Sequence, residues 1–121
     1  MSMTVLVGVG LVGGVGAIAR FLLDGAVTRR TGRDFPSGTL VVNITGAFLL
    51  GLLVGAALSA DAYRIAGTGL LGAFTTFSTW AFESHRLGED GELGVGVANL
   101  AVSLALGIGA VWLGRQLGMA L

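Results

Sequence analysis

The sequence predicts an all-α integral membrane protein, and three observations support this prediction. Mean hydropathy is +0.87. Charged residues make up 12% of the chain, against about 25% in typical soluble domains. Four apolar runs are each about as long as the roughly 20 residues that a spanning helix needs. At 121 residues, such a chain fits a single transmembrane domain that covers residues 1–121.

The four apolar runs extend over residues 4–23, 39–59, 65–82 and 93–114. Almost every charged residue falls between them, which predicts four transmembrane helices with charged connections. The first run is too long for the apolar region of a signal peptide, no basic segment precedes it, and no convincing cleavage site follows it. We therefore expect a retained helix. The chain has no Cys, and its basic residues are scattered Arg. A disulfide framework is therefore excluded, and no nucleic-acid partner is expected.

The first run is rich in glycine. Residues 8–13 read GVGLVG, a formal match to the glycine pattern of dinucleotide-binding domains. That fold needs further parallel strands, whereas the following residues form membrane-length apolar runs. We therefore interpret the glycines as helix-packing positions, with Gly10 above Gly14 or Gly13 above Ala17.

Arg20 is the only charged residue inside an apolar run. Near the end of a helix its side chain can reach the membrane interface and act as an anchor. Alternatively, it is a fixed positive charge at the mouth of an anion path. Both interpretations remain open from the sequence.

The second run follows a Pro-Ser-Gly-Thr turn at residues 36–39 and carries one amide, Asn43. A side-chain amide in a membrane helix can hold a neighbouring helix by hydrogen bonds. It can also present its NH₂ group to an anion. Further along the run, Gly51 and Gly55 form a small-residue pair that favours close helix packing.

The third run contains the stretch GLLGAFTTFSTW at residues 69–80. Hydroxyl groups in hydrocarbon must find partners or line a wet path, and glycine with hydroxyls is typical of a locally broken membrane helix. If the backbone is helical there, Phe77 and Trp80 lie on one face. We expect a break near the middle of this helix.

The polar groups of the third run are neutral donors, and no Asp or Glu lies in the central part of any run. Aromatic rings have electropositive edges, so neutral donors and ring edges together suit a small anion. Proton-coupled transporters and cation sites typically rely on an intramembrane acid. A passive anion path is the simpler hypothesis, and no enzymatic activity is indicated. A small multidrug exporter or a non-conducting assembly factor is the alternative.

The fourth run places Asn99 and Ser103 four residues apart, hence on one helical face. This pair either lines a track of donors or forms hydrogen bonds across helices. Glu83 and His85 follow the third run; Glu83 is interpreted as a solvated helix end, with a vestibule role as the alternative. A single His without Cys cannot form a usual zinc site.

Three segments together resemble the Fluc/CrcB family of fluoride channels: GGVGAIAR at residues 13–20, GTLVVNITGAF at 38–48 and GLLGAFTTFST at 69–79. Chain length, four runs and motif order agree with that family. The resemblance implies a passive, fluoride-selective channel that exports cytoplasmic fluoride, with two pores in an antiparallel, dual-topology dimer in a prokaryotic cell membrane. Fluoride, the lipid bilayer and a second subunit, identical or related, are the implied partners.

The resemblance also implies roles for individual residues. A structural Na⁺ at the dimer centre would be held by the main-chain carbonyls of Gly72 and Thr75, and Arg20 matches a vestibule arginine. The implied fluoride-pore residues are Asn43, Phe77, Ser78, Thr79, Trp80, Asn99 and Ser103. Trp80 departs from the family, which usually has Phe there, and Val95 stands where the family has tyrosine. Loop Arg residues give only a four-to-two bias, so the topology of the dimer stays open.

Overall fold

The computed structural model describes all residues, 1–121, and all its regular elements are helices, without β-strands. Three helices are long and apolar enough to cross a membrane: α1 (Met3–Thr31), α2 (Ser37–Gly55) and α6 (Leu93–Met119). The third apolar run is divided among shorter elements, namely α3 (Ala60–Tyr63), a π-helical segment (Arg64–Leu71), α4 (Gly72–Phe74) and α5 (Phe77–Glu89). The predicted all-helical membrane fold is therefore confirmed.

The ends of α1 are set by local chemistry. Ser2 accepts the Val5 N–H at 3.2 Å, so its hydroxyl satisfies one of the free donors of the first turn. At the other end Gly32 adopts φ +80° and donates its N–H to the Thr28 carbonyl. Glycine takes this left-handed conformation without the steric cost of a Cβ, and this fixes the end of the helix.

The most extensive helix pair is α2 with α6. Their backbones touch at four glycines: a Cβ at Gly51 would collide with the Val111 carbonyl, and one at Gly114 with the Phe48 carbonyl. Gly55 and Gly118 make the same kind of contact one turn further along. The small-residue pair predicted in the second run therefore packs against a matching pair in α6.

The glycines of α1 divide between two faces. A Cβ at Gly16 would collide with the Leu70 carbonyl, and one at Gly13 would lie 3.4 Å from the Gly69 carbonyl. Gly10 and Gly14 have nothing within 4 Å. Of the two predicted packing pairs, the one that starts at Gly13 faces the third run, and the other faces outward from the subunit.

The outer faces of the long helices are apolar and exposed; Leu11, for example, is 70% exposed and Ile18 is 62% exposed. Few hydrophobic side chains are buried inside the subunit, and these are Val5, Val42, Leu71 and Phe74. Exposed apolar surface of this extent marks contact with lipid or with another protein. The chain is thus a multi-pass membrane protein whose surroundings complete its apolar burial.

Candidate functional site

Two residues with extended backbones interrupt the helical structure in the third run. Thr75 has φ −83° and ψ 160°, and Thr76 has φ −145° and ψ 119°. The next helix, α5, starts at Phe77, and the Thr76 hydroxyl caps it by accepting the Thr79 N–H at 3.2 Å. The π-helical segment ends at Leu71 and is separated from the extended pair by the short helix α4; π-helical backbone is rare and often occurs at functional sites.

Asn43 of α2 binds the main chain of Thr76 at both ends of its amide. Its Nδ2 donates to the Thr76 carbonyl at 2.8 Å, and its Oδ1 accepts the Thr76 N–H at 2.8 Å. One side chain thus satisfies both polar groups of an extended residue, which otherwise have no helical partner. This contact agrees with the helix-holding interpretation of Asn43. The amide keeps a second N–H beyond the one given to Thr76.

Helix α1 holds the other side of the interruption. Arg20 donates from Nε to the Ala73 carbonyl at 3.2 Å. The close approach at Gly16 brings α1 against this segment, and Gly46 of α2 contacts the Thr75 methyl group so closely that a Cβ there would collide with it. Arg20 therefore does more than anchor the helix at the interface, because its side chain bonds the backbone next to the extended pair.

The two aromatic rings meet edge to face beside this backbone. The ring centroids of Phe77 and Trp80 lie 5.3 Å apart with an interplanar angle of 67°. Phe77 is 75% exposed on the subunit surface. Both rings border an open cavity of about 350 Å³ whose wall includes Asn43, Gly72 and Thr75. Five of the predicted site residues are therefore brought together.

The hydroxyls next to the rings differ in their partners. The Thr79 hydroxyl accepts a hydrogen bond from the Thr76 hydroxyl at 3.1 Å. Ser78 is exposed, and its hydroxyl forms no hydrogen bond within the subunit. These two residues follow directly on Phe77 and stay predicted members of an ion path.

Asn99 and Ser103 lie apart from that cavity, in the contact between α5 and α6. Asn99 is only 1% exposed, its Nδ2 donates to the Ser84 hydroxyl at 2.8 Å, and its Oδ1 accepts from Ser103 at 3.3 Å. Of the two interpretations, hydrogen bonding across helices is the one that these contacts support. A role of this pair in an ion path stays a prediction. Ser84 was not among the predicted site residues, although it lies one helical turn after Trp80.

A second cavity, of about 280 Å³, lies where the end of α1, the start of α2 and α5 meet. Asp24, Glu83, Arg33 and Arg86 contribute charged groups to its wall. The Glu83 Oε1 atom is buried and has no hydrogen-bond partner. Glu83 is thus part of a cavity wall, which agrees with the vestibule alternative better than with a freely solvated helix end.

The carbonyls predicted to bind a cation are compatible with that role. The Thr75 N–H donates to the Leu71 carbonyl, and the Thr76 N–H donates to the Asn43 side chain. Neither of these N–H groups therefore donates to the Gly72 carbonyl. The Thr75 carbonyl accepts no hydrogen bond. Uncharged carbonyl oxygens of this kind suit a hard cation. No group of His, Cys, Asp or Glu side chains is placed to hold a metal ion.

Comparison with known proteins decides the family. The model of a family described as "CrcB-like protein, Camphor Resistance (CrcB)" matches residues 7–115. The chain belongs to the CrcB-like family. The resemblance found in the three sequence motifs is thereby confirmed.

Relatives within the CrcB-like family are similar along nearly their whole length. A protein of Mycolicibacterium paratuberculosis named fluoride-specific ion channel FluC 2 is 55% identical over 116 residues, which cover 96% of this chain and 95% of that protein. A Mycobacterium tuberculosis protein of the same name is 53% identical, with 95% and 91% covered. A Geobacter sulfurreducens protein named fluoride-specific ion channel FluC is 44% identical, with 93% and 94% covered. These names denote an ion channel and not an enzyme, as the sequence predicted.

Proposed function

We propose that this chain is a passive, fluoride-selective ion channel of the cell membrane, which lets fluoride leave the cytoplasm and reduces its toxicity. The observation that carries this proposal is the cavity beside the extended pair Thr75–Thr76. Its polar wall is built from an amide, hydroxyls and main-chain groups, with two aromatic rings and no carboxylate. Relatives named as fluoride channels at up to 55% identity support the identity of the ion.

Fluoride is small and strongly hydrated, so a selective path must replace its water shell with protein donors. The remaining N–H of Asn43, the hydroxyls of Ser78 and Thr79 and the electropositive edge of Phe77 are donors of suitable strength. None of them is charged, so each holds the anion weakly enough for it to move on. Arg20, next to the same backbone, adds a fixed positive charge that raises the local anion concentration.

The exposed position of Phe77 supports assembly with a second subunit. The Phe77 ring is 75% exposed and borders an open cavity. A second protein surface placed over this cavity would close it into an ion path. We propose an antiparallel dimer with two pores, formed by identical or related subunits, in which the third run crosses the membrane as an interrupted helix. The main-chain polar groups of the interruption then face protein or an ion and not lipid.

The dimer would also bring two copies of the Gly72 and Thr75 carbonyls together. Four such oxygens, without side-chain charge, suit Na⁺ at the centre of the dimer. A bound Na⁺ would supply one positive charge that attracts the carbonyl oxygens of both subunits and so stabilises the contact between the two interruptions. Asn43 and Arg20 hold the adjacent residues, Thr76 and Ala73, and thereby fix where these carbonyls lie.

Direct flux measurement tests the proposal. The purified protein is reconstituted in liposomes loaded with potassium fluoride. Valinomycin is added so that K⁺ leaves together with fluoride and no opposing membrane potential builds up, and efflux is followed with a fluoride electrode. The expected result is rapid efflux without a pH gradient and with chloride retained. Efflux that needs a pH gradient would indicate an exporter, and absence of efflux would indicate a structural protein; either result refutes the proposal.

A further inference from the structure

Trp80 takes part in two hydrogen bonds where α5 meets α6, one to Asn99 of α6 and one within α5. Its indole Nε1 donates to the main-chain carbonyl of Asn99 at 3.4 Å, and its own carbonyl accepts from the Ser84 hydroxyl at 2.9 Å. The Ser84 oxygen in turn accepts from Asn99 Nδ2 at 2.8 Å. Trp80, Ser84 and Asn99 thus form a closed circuit of hydrogen bonds, which we call the indole circuit.

The indole bond itself is long, because typical N–H···O hydrogen bonds measure about 2.9 Å. Such a bond holds a ring only if the acceptor is fixed by other contacts. The acceptor here belongs to the most deeply buried polar residue of the chain: Asn99 is 1% exposed. The backbones are also close at this level, since a Cβ at Gly96 would lie 2.8 Å from the Ser84 carbonyl.

The direction of the indole N–H matters for the chemistry of the ring pair. It points to Asn99, which does not belong to the wall of the cavity that Phe77 and Trp80 border. The N–H group is the strongest donor of an indole ring. Once it is engaged, the ring offers the cavity only weakly polar C–H edges, as a phenyl ring would.

We propose that Asn99 is a positioning residue for Trp80: through Ser84 and its own carbonyl it keeps the indole N–H out of the cavity and sets the ring against Phe77. The part of this inference that concerns ion passage rests on the proposed function. A free indole N–H in the cavity would bind an anion more tightly than ring edges do. Tighter binding slows release, and conduction requires that the ion leave.

The first test follows the ring itself and does not depend on ion transport. The chain has two tryptophans, so Trp112→Phe leaves Trp80 as the sole indole fluorophore. In this background Ser84→Ala opens the indole circuit, and we expect the emission maximum of Trp80 to shift. Ser84→Thr keeps the hydroxyl and should restore the parental spectrum. Thr68→Ala removes an exposed hydroxyl elsewhere in the third run and should leave the spectrum unchanged.

The second test is a double-mutant cycle on fluoride efflux. We expect Ser84→Ala to slow efflux about tenfold when Trp80 is present, a value within the range of coupling between contacting residues. In Trp80→Phe, which has no N–H to redirect, the same change should alter the remaining efflux by less than about twofold. Equal fold losses in both backgrounds would overturn the proposal, because Ser84 would then act independently of the indole.

An unchanged Trp80 spectrum in Ser84→Ala would also overturn it. The two tests separate this inference from the proposed function. If the parental protein carries no fluoride, the proposed function fails while the fluorescence test still decides whether the circuit positions the ring.

Discussion

The double hydrogen bond between Asn43 and Thr76 allows the sharpest prediction about the interruption. In Asn43→Asp the carboxylate can still accept the Thr76 N–H, but it has no donor for the Thr76 carbonyl, which now receives a bond of 2.8 Å. Loss of that bond costs about 0.5 to 1.5 kcal/mol, and leaving a carbonyl without a partner costs about 1 to 3 kcal/mol. The carboxylate oxygen also faces the carbonyl oxygen and repels it.

We therefore expect Asn43→Asp to lower the free energy of unfolding of the detergent-solubilised protein by about 2 to 4 kcal/mol. Fluoride efflux should fall at least tenfold, because a misplaced interruption moves the ring pair and the carbonyls together. Thr45→Val, two residues after Asn43 in α2, is the matched control; it removes a hydroxyl that forms no hydrogen bond within the subunit. Unfolding and efflux of Asn43→Asp equal to those of the parental protein would refute the role given to this contact.

Three further predictions concern other contacts. Gly51→Ala should destabilise the protein by about 1 to 3 kcal/mol through overpacking of α2 against α6. Gly109→Ala, at a position with nothing within 4 Å, should leave the stability unchanged, and equal thermal unfolding of the two variants would contradict the packing. Arg20→Met should lower the free energy of unfolding by about 1.5 to 3 kcal/mol, because it removes a charged donor from the Ala73 carbonyl. Chemical unfolding should show a smaller loss for Arg115→Met, whose side chain is exposed and forms no such bond, and a larger loss for Arg115→Met would contradict the role of Arg20. Replacing Na⁺ by N-methylglucamine during purification should lower the temperature at which the dimer dissociates, measured by size-exclusion chromatography after heating; no change would count against the proposed cation.

The sequence predicted the features that depend on local composition. Apolar length identified the three long helices α1, α2 and α6, and glycine spacing predicted that Gly51 and Gly55 pack closely against another helix, which is α6. The motifs around Asn43 and Phe77 were sufficient to identify the family. These features can be read from the sequence because each restricts which residue types occur. A membrane span needs a long apolar run, and close helix contact needs small residues at regular spacing.

The sequence could not predict features that depend on the register between distant helices. Asn43 allowed two interpretations, and only its bonds to Thr76, 33 residues away, favour the helix-holding one. The indole circuit depends on how α5 lies against α6, which no spacing within either helix specifies. The π-helical segment was likewise not predicted, since its residues carry no local signal that separates it from an α-helix.

The most direct test of the central claim is the rate of fluoride efflux from liposomes that contain the wild-type protein, compared with Phe77→Ile. The wild-type protein should release fluoride rapidly without a pH gradient and retain chloride, and Phe77→Ile should lose most of this flux while it still assembles. Equal fluoride flux in the two proteins would contradict an ion path beside the aromatic pair. No flux in the wild-type protein would contradict the channel function itself.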